Sequence, residues 1–540
     1  CENRRSKPRA LLPTLSSPPC APIGAMRWLP GWRPLAALSV LGGGVAAAAA
    51  DEAEATCPAG GPCGSAAAAA AGKLGRYLWP THRGHVGSYG VAEFEGPREL
   101  KQPTWRWTHR EGRQGTIFIG TPAVDDRSNI YLVAWKSVYK LDRAGNQLWE
   151  VGPASSCAMS AMPALANGVL YTNDVCGHVW AVDMETGSRL WTTKVSENAG
   201  TDTQTVLCDE GVVVAGFDAN PNFGGNGQYR IVGLNATDGK LIWERKLKVM
   251  TWNFLPLAVG DGTFVFQDSE GAALRWRIKT GEELWSTPQA GNFTDGSAAL
   301  GPNGMFYTVS VKEKVPGGIW TANDPGYLTA FRVSDGKQVW KREVPRPPNS
   351  APVVGRLSPD GPLSVIVGIG AQGGEPAWTT IIERKYSWLP VRMKVWLHSL
   401  SIWLGDWSQL LWGNAALPTE LWALDAETGA ILWSWEAHNW YRLACAGDEE
   451  SFLWRITHGV RGLCWPGPWS SPVIDSAGTL YAGSHNGKFY ALRDSNGDGK
   501  IGPDESSYVD WGTSFIFGSP AIGPGFMAMA ACDELWVWSS

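Results

Sequence analysis

From residue 103 onward, hydrophobic and polar positions alternate in short runs, and turns rich in Gly, Asp and Asn separate the runs. Val169-Leu170-Tyr171-Thr172 and Trp180-Ala181-Val182-Asp183 are representative. Successive side chains of a strand point to opposite faces, so alternation between such turns predicts short antiparallel strands. A Gly-x-x-x-Trp unit closes six of these cycles, at Gly145–Trp149, Gly187–Trp191, Gly239–Trp243, Gly281–Trp285, Gly336–Trp340 and Gly429–Trp433. The glycine supplies a turn position that accepts positive φ without steric cost. The Trp is a flat apolar plate suited to the gap between packed sheets.

The strands that open each cycle can be counted separately, because they begin with Pro or small apolar residues. Eight are visible: Thr121–Val124, Met162–Leu165, Thr205–Leu207, Leu255–Ala258, Ser297–Leu300, Ala351–Val354, Ser471–Ile474 and Ser519–Ile522. The last cycle, Gly518–Trp538, ends after three strands, and the alternating stretch 103–108 is left without a sheet. Pairing the two predicts an all-β fold, an eight-bladed β-propeller closed by an N-terminal strand, with no long sheet edge exposed.

Two stretches break the pattern. Residues 375–418 are Trp-rich and 438–468 fit no strand rule. Two readings stay open for them: loops that form a lid or partner-binding face, or insertions without selected structure. A third departure carries chemistry. Residues 494–505 place Asp494, Asn496 and Asp498 at positions 1, 3 and 5 of a twelve-residue loop. Gly499 follows at the sharp turn, Lys500 at the backbone-carbonyl position and Glu505 at position 12. Hard oxygen ligands around a tight glycine turn are what calcium requires, and the loop resembles that of an EF-hand. Its flanks do not: 488–492 reads as a strand, and 503–509 as a short turn or strand. The expectation is a structural calcium clip in a β hairpin, with metal ligands Asp494, Asn496, Asp498, Lys500 and Glu505. Trp511 is the expected interblade Trp of that blade.

Composition changes this picture little. The 540 residues are 44% hydrophobic and 18% charged, with 65 Gly, 31 Trp and a net charge of −5. A basic face for nucleic acid is not indicated. The chain opens on Cys1, and residues 1–25 read as a leader or untranslated-like segment. A start at Met26 gives a signal-peptide pattern over 26–50: Arg27 and Arg33, the apolar run Leu35–Ala50, then small residues. Residues 51–76 read as a disordered Ala/Gly-rich linker. The mature chain is thus expected to be secreted or luminal, without a spanning segment; the alternative reading is that the apolar run stays uncleaved as a membrane anchor. Cys157 and Cys176 flank one hairpin and read equally as a disulfide or as two buried thiols. Asn235-Ala-Thr237 and Asn292-Phe-Thr294 fit the glycosylation acceptor pattern. His178, His485, Asp174, Asp268 and Asn486 fall in turns, where turn-forming roles are the usual ones.

The stretch Trp79-Pro80-Thr81-His82-Arg83-Gly84, together with the Gly-x-x-x-Trp repeats, resembles the PQQ-like (pyrroloquinoline quinone repeat) propeller family over 77–538. The resemblance implies one of two functions. One is a non-catalytic binding or assembly scaffold, with a protein or small-molecule ligand on a propeller face. The other is a quinoprotein dehydrogenase that holds PQQ and calcium on the axis and oxidises alcohols or sugars. Dehydrogenases of the family carry an adjacent Cys–Cys pair, which this sequence lacks, and no catalytic residue is assigned. The expectation is the scaffold with one calcium loop.

Overall fold

The structure, a computed structural model, describes residues 77–539 apart from 85–86, 88–89, 154–156, 198–203, 219–226, 293, 295, 313–324, 371–387, 391, 394–395, 397–417, 443 and 465–466. The expected leader, signal peptide and linker, and most of 375–418, lie outside the described residues.

Eight four-stranded antiparallel sheets follow one another as propeller blades. Blades 1 to 7 span 123–151, 164–194, 207–246, 257–286, 299–344, 353–436 and 473–510. Blade 8 is built from Ala521–Gly523, Phe526–Ala530 and Leu535–Ser539, and its fourth strand is Trp105–Trp107. Trp105 pairs with Val537 and Trp107 with Leu535, so the first strand among the described residues closes the ring as the pattern predicts. Closure leaves no unpaired edge at the junction of the termini.

The first strand of each blade is innermost: those of blades 2 and 3, 3 and 4, 5 and 6, and 6 and 7 lie beside one another. They are short and almost wholly buried, as in Ala123–Val124 and Val473–Ile474. The fourth strands face outward and alternate in exposure, as in Arg189–Lys194. Apolar clusters fill the seams between blades, with Tyr307, Trp340 and Val365 buried together between blades 5 and 6.

Six seams share one clasp. The Trp of one blade lies against the turn glycine of the next: Trp105 on Gly145, Trp149 on Gly187, Trp191 on Gly239, Trp243 on Gly281, Trp285 on Gly336 and Trp340 on Gly429. A Cβ on these glycines would come within 2.5–3.0 Å of the indole, so a side chain is excluded as well as strained. Each indole N–H donates to a backbone carbonyl of the neighbouring blade. The acceptors are Arg143, Met184, Ala236, Ile278, Val333 and Ala426, at 2.8–3.1 Å. The closing strand therefore supplies both the missing hydrogen-bond ladder and the missing Trp, namely Trp105.

The seams between blades 6 and 7 and between blades 7 and 8 depart from the rule. Trp511 does not take the expected place. In the other blades the interblade Trp pairs with the last-but-one core residue of the third strand, as Trp433 pairs with Ala423. In blade 7 that partner, Ala491, pairs with Ser507. The Ser507 hydroxyl accepts the N–H of Leu100, which is buried in the seam to blade 8. Trp511 lies beyond the strand end and stacks on Trp536, with ring centroids 3.9 Å apart.

Residues 438–468 are not strand, but they are packed. They contain a helix, Asp448–Thr457, and are tied to blade 8 by a Cys464–Cys532 disulfide. Val460 and Cys464 are buried with Ile117 and Ile516. The helix turns Asp448, Glu449, Ser451 and Arg455 inward, and Arg455 is fully buried with its guanidinium 3.6 Å from Asp448.

Candidate functional site: a filled axis and an acidic loop

Residues 79–92 reach blades on several sides of the ring. Trp79 bridges to Val124 of blade 1, and the Pro80 carbonyl accepts the N–H of Leu165 in blade 2. Arg83 donates to the carbonyl of Ala298, just before blade 5, and to that of Pro352, just before blade 6. Ala92 and Gly90 bond to Ile474 of blade 7. Contacts to innermost strands on several sides of the ring place the described residues of the lead-in at the propeller axis.

At its core, His82 is buried with both ring nitrogens committed, Nδ1 to the Thr121 hydroxyl at 2.7 Å and Nε2 to the Ser471 hydroxyl at 3.2 Å. Thr121 also accepts the N–H of Ser519 at 2.7 Å. One imidazole therefore joins blades 1, 7 and 8. Burial holds the His82 pKa well below the ordinary imidazole value, with the Arg83 charge adding to the effect. Burial likewise brings the Arg83 guanidinium down to about 9. Sequence reading had the lead-in as a motif but missed this role, because the partners lie up to 389 residues away.

The second assembly is the loop 494–505. A strand, Lys488–Leu492, precedes it, and a short 3₁₀ turn, Pro503–Glu505, leads into the strand Ser506–Asp510. The hairpin setting is the expected one. Of the five predicted ligand residues, the fold brings together Asp494, Asp498 and Glu505, whose carboxylate oxygens lie within 4.8 Å of one another. Backbone N–H groups hold them in place. Asp494 accepts from Gly497 and Gly499 at 2.7 and 2.9 Å. Glu505 accepts from Ser495, Asn496 and Gly502 at 2.7, 3.1 and 2.8 Å. The Gly502 bond is the main reason the Glu505 carboxyl sits below its ordinary pKa. Asn496 accepts the N–H of Asp498 through its side chain, and Lys500 donates its N–H to Asp498. Gly497 and Gly499 take φ of +75° and +79°, which gives the sharp turn. Three carboxylates brought this close are oxygen donors of the kind calcium takes.

The remaining candidates resolve into structure. Cys157 and Cys176 form a disulfide with Cα atoms 5.8 Å apart. Asp174, Asp268 and Asn486 accept backbone N–H groups two residues on, and so shape their turns. His178 bonds back to Asp174 at 3.0 Å. Sequence reading missed Asp218, which is wholly buried. One of its oxygens accepts from the N–H and hydroxyl of Thr251, and the other has no partner among the described residues. Burial raises its pKa to about 6.

Comparison with known proteins fits this geometry. The profile of the PQQ-like family described as outer membrane protein assembly factor BamB matches residues 103–248, 134–315 and 217–435. The chain belongs to this PQQ-like family. Among curated relatives, the outer membrane protein assembly factor BamB of Burkholderia pseudomallei is 29% identical over 148 residues, which is 26% of this chain and 34% of that protein. A tetrathionate hydrolase of Acidithiobacillus ferrooxidans is 24% identical over 220 residues, 38% of this chain and 41% of that one. The matches thus span less than half of either relative. In fold, the quinohemoprotein alcohol dehydrogenase ADHIIG of Pseudomonas putida HK5 superposes with a TM-score of 0.55 at 12% identity, covering 88% of this chain and 82% of that one. Among the described residues no helix is long and apolar enough to cross a membrane.

Proposed function

We propose that this chain is a non-catalytic propeller that acts as a binding or assembly scaffold, with one calcium ion held at 494–505. The observation that carries this reading is the occupied axis. The rival reading, a PQQ- and calcium-dependent dehydrogenase, needs acidic and amide side chains around a flat quinone at the centre of the ring. Here Arg83 and His82 stand at the centre, held by backbone carbonyls and hydroxyls. The sequence also lacks the adjacent Cys pair. The partial match to an outer-membrane assembly factor supports a protein partner over a small substrate. A propeller can host either function, so the argument rests on the residues and not on the fold.

Asp494, Asn496, Asp498 and Glu505 would hold the ion through side-chain oxygens, and Lys500 through its carbonyl. The ion would neutralise the converging carboxylates and fix the hairpin. The test is reconstitution with PQQ and CaCl₂, followed by dye reduction over a panel of alcohols and sugars. No turnover above the protein-free control is expected, and clear turnover overturns the scaffold reading. Calorimetry with CaCl₂ should show one site in the wild type and none in the Asp494→Ala/Glu505→Ala double variant. Equal heats would remove the calcium claim.

A further inference from the structure

Three blades build the clasp turn on an aspartate, and blade 3 builds the same turn on an asparagine. Asp142, Asp183 and Asp425 each accept the N–H two residues on, at 2.9, 3.1 and 3.1 Å. Asn235 accepts the N–H of Thr237 through Oδ1 at 2.8 Å. The next residue in each turn, Arg143, Met184, Ala236 or Ala426, gives its carbonyl to the clasp Trp. The turn thus needs one side-chain oxygen, which aspartate supplies equally well, and the Asn235 amide nitrogen is surplus to it. No described residue accepts from that Nδ2. Thr237 is exposed, so Asn235-Ala236-Thr237 offers an N-glycosylation acceptor with its amide and hydroxyl both uncommitted. The second acceptor pattern is closed. Asn292 donates Nδ2 to the Lys312 carbonyl at 2.5 Å, and Thr294 is buried with its hydroxyl accepting the N–H of Gly296.

Blade 3 also carries apolar surface for such a group to cover. Its fourth strand, Leu241–Lys246, exposes two adjacent large apolar residues, Leu241 at 52% and Ile242 at 47%. The fourth strands of blades 1, 2, 4, 5 and 6 expose one each: Leu148, Leu190, Leu284, Val339 and Ile431. The N–H of Asn235 bonds the carbonyl of Lys240, which places the acceptor beside Leu241. An apolar outer strand is a template for pairing with another chain, and a bulky sugar next to it blocks that approach.

We infer that Asn235 carries an N-linked glycan that shields the Leu241–Ile242 edge of blade 3. The inference goes beyond the scaffold reading. It rests on passage through an oxidising secretory compartment, which the Cys157–Cys176 and Cys464–Cys532 disulfides fit. The donor is, by class, a lipid-diphosphate-linked oligosaccharide. Nδ2 of Asn235 attacks the anomeric carbon of the sugar and a C–N bond forms. The C–O bond to the diphosphate breaks, the diphosphate leaves with the bonding pair, and Nδ2 gives up one proton.

The full chain is secreted from a eukaryotic host and mapped by mass spectrometry before and after peptide-N-glycosidase digestion. Asn235→Asp, Thr237→Ala and Asn292→Gln variants are run alongside. Asn235→Asp keeps the oxygen that the turn uses, and Thr237→Ala keeps Asn235 and the N–H it accepts, so both preserve the turn. Wild type and Asn292→Gln should each lose the mass of one glycan on digestion, mapped to Asn235. The other two variants should lose none. They should also bind an apolar dye about twofold or more above wild type, and adding Leu241→Thr with Ile242→Thr should remove the excess. Secreted wild type with both disulfides formed and Asn235 unmodified, or a glycan at Asn292 in place of Asn235, overturns the inference and leaves the scaffold reading standing. Equal dye binding with and without the glycan overturns the shield. Retention of the chain with reduced cysteines overturns the secretory premise and the glycan with it.

Discussion

The Gly–Trp clasp can be isolated with two substitutions that share one backbone cost and differ in one contact. Gly281 has φ +62°, and an added Cβ would lie 2.5 Å from the Trp243 ring. Gly211 has φ +76°, and an added Cβ would meet nothing within 4 Å. Placing Ala in the left-handed region costs about 1–2 kcal/mol at either site. At Gly281 the Cβ must also displace the indole of Trp243. That adds an overpacking cost of about 1–3 kcal/mol. It also strains the 2.8 Å bond from Trp243 to the Ile278 carbonyl, worth about 0.5–1.5 kcal/mol. Gly281→Ala should therefore destabilise by about 2–4 kcal/mol more than Gly211→Ala. Differential scanning calorimetry at one fixed scan rate, with both variants and wild type, reads the difference as a lower Tm for Gly281→Ala. Equal Tm shifts for the two variants would refute the claim that the indole contact, and not turn geometry alone, requires glycine.

Three further predictions follow from single buried groups. His82 is buried neutral, so the unfolded chain binds the proton that the native state refuses. Its contribution is present above about pH 6.5 and is lost as pH falls, and His82→Gln should flatten the acid limb of a Tm–pH profile below about pH 6.5. Asp218 has the opposite sign. Its folded pKa of about 6 lies above the unfolded value, so its effect on stability worsens as pH rises from about 4 to 6. Asp218→Asn should then raise stability at pH 7.5 by roughly 2–3 kcal/mol and change little at pH 4, as read by denaturant titration. Replacing Cys464 and Cys532 together with Ala should cost about 2–4 kcal/mol and leave the helix Asp448–Thr457 faster in hydrogen exchange, with the blades unchanged.

The blades were legible in the sequence because their determinants are local. Alternation gives the strands, the turn glycines give the hairpins, and a strand count with one surplus and one deficit gives the closure. The acidic loop was legible for the same reason, since its carboxylates and glycines lie within twelve consecutive residues. What escaped was long-range. Nothing local marks Arg83 as the partner of carbonyls 215 and 269 residues away, or joins Cys464 to a cysteine 68 residues on. The helix Asp448–Thr457 was hidden for another reason. It buries Asp448, Glu449 and Arg455 and leaves Ile456 exposed, so the usual apolar stripe is inverted. Trp511 misled because proximity to a strand end is no guide to register, which here puts Ser507 in the Trp position.

The central proposal is that the chain's own lead-in stands on the propeller axis in place of a quinone. The most direct measurement is retention of PQQ. The full chain is incubated with excess PQQ and CaCl₂, passed through a desalting column, and the protein fraction is read for quinone absorbance against protein concentration. The account predicts no stoichiometric quinone. One quinone per chain, lost when Arg83 or His82 is replaced, would place the cofactor on the axis and contradict it.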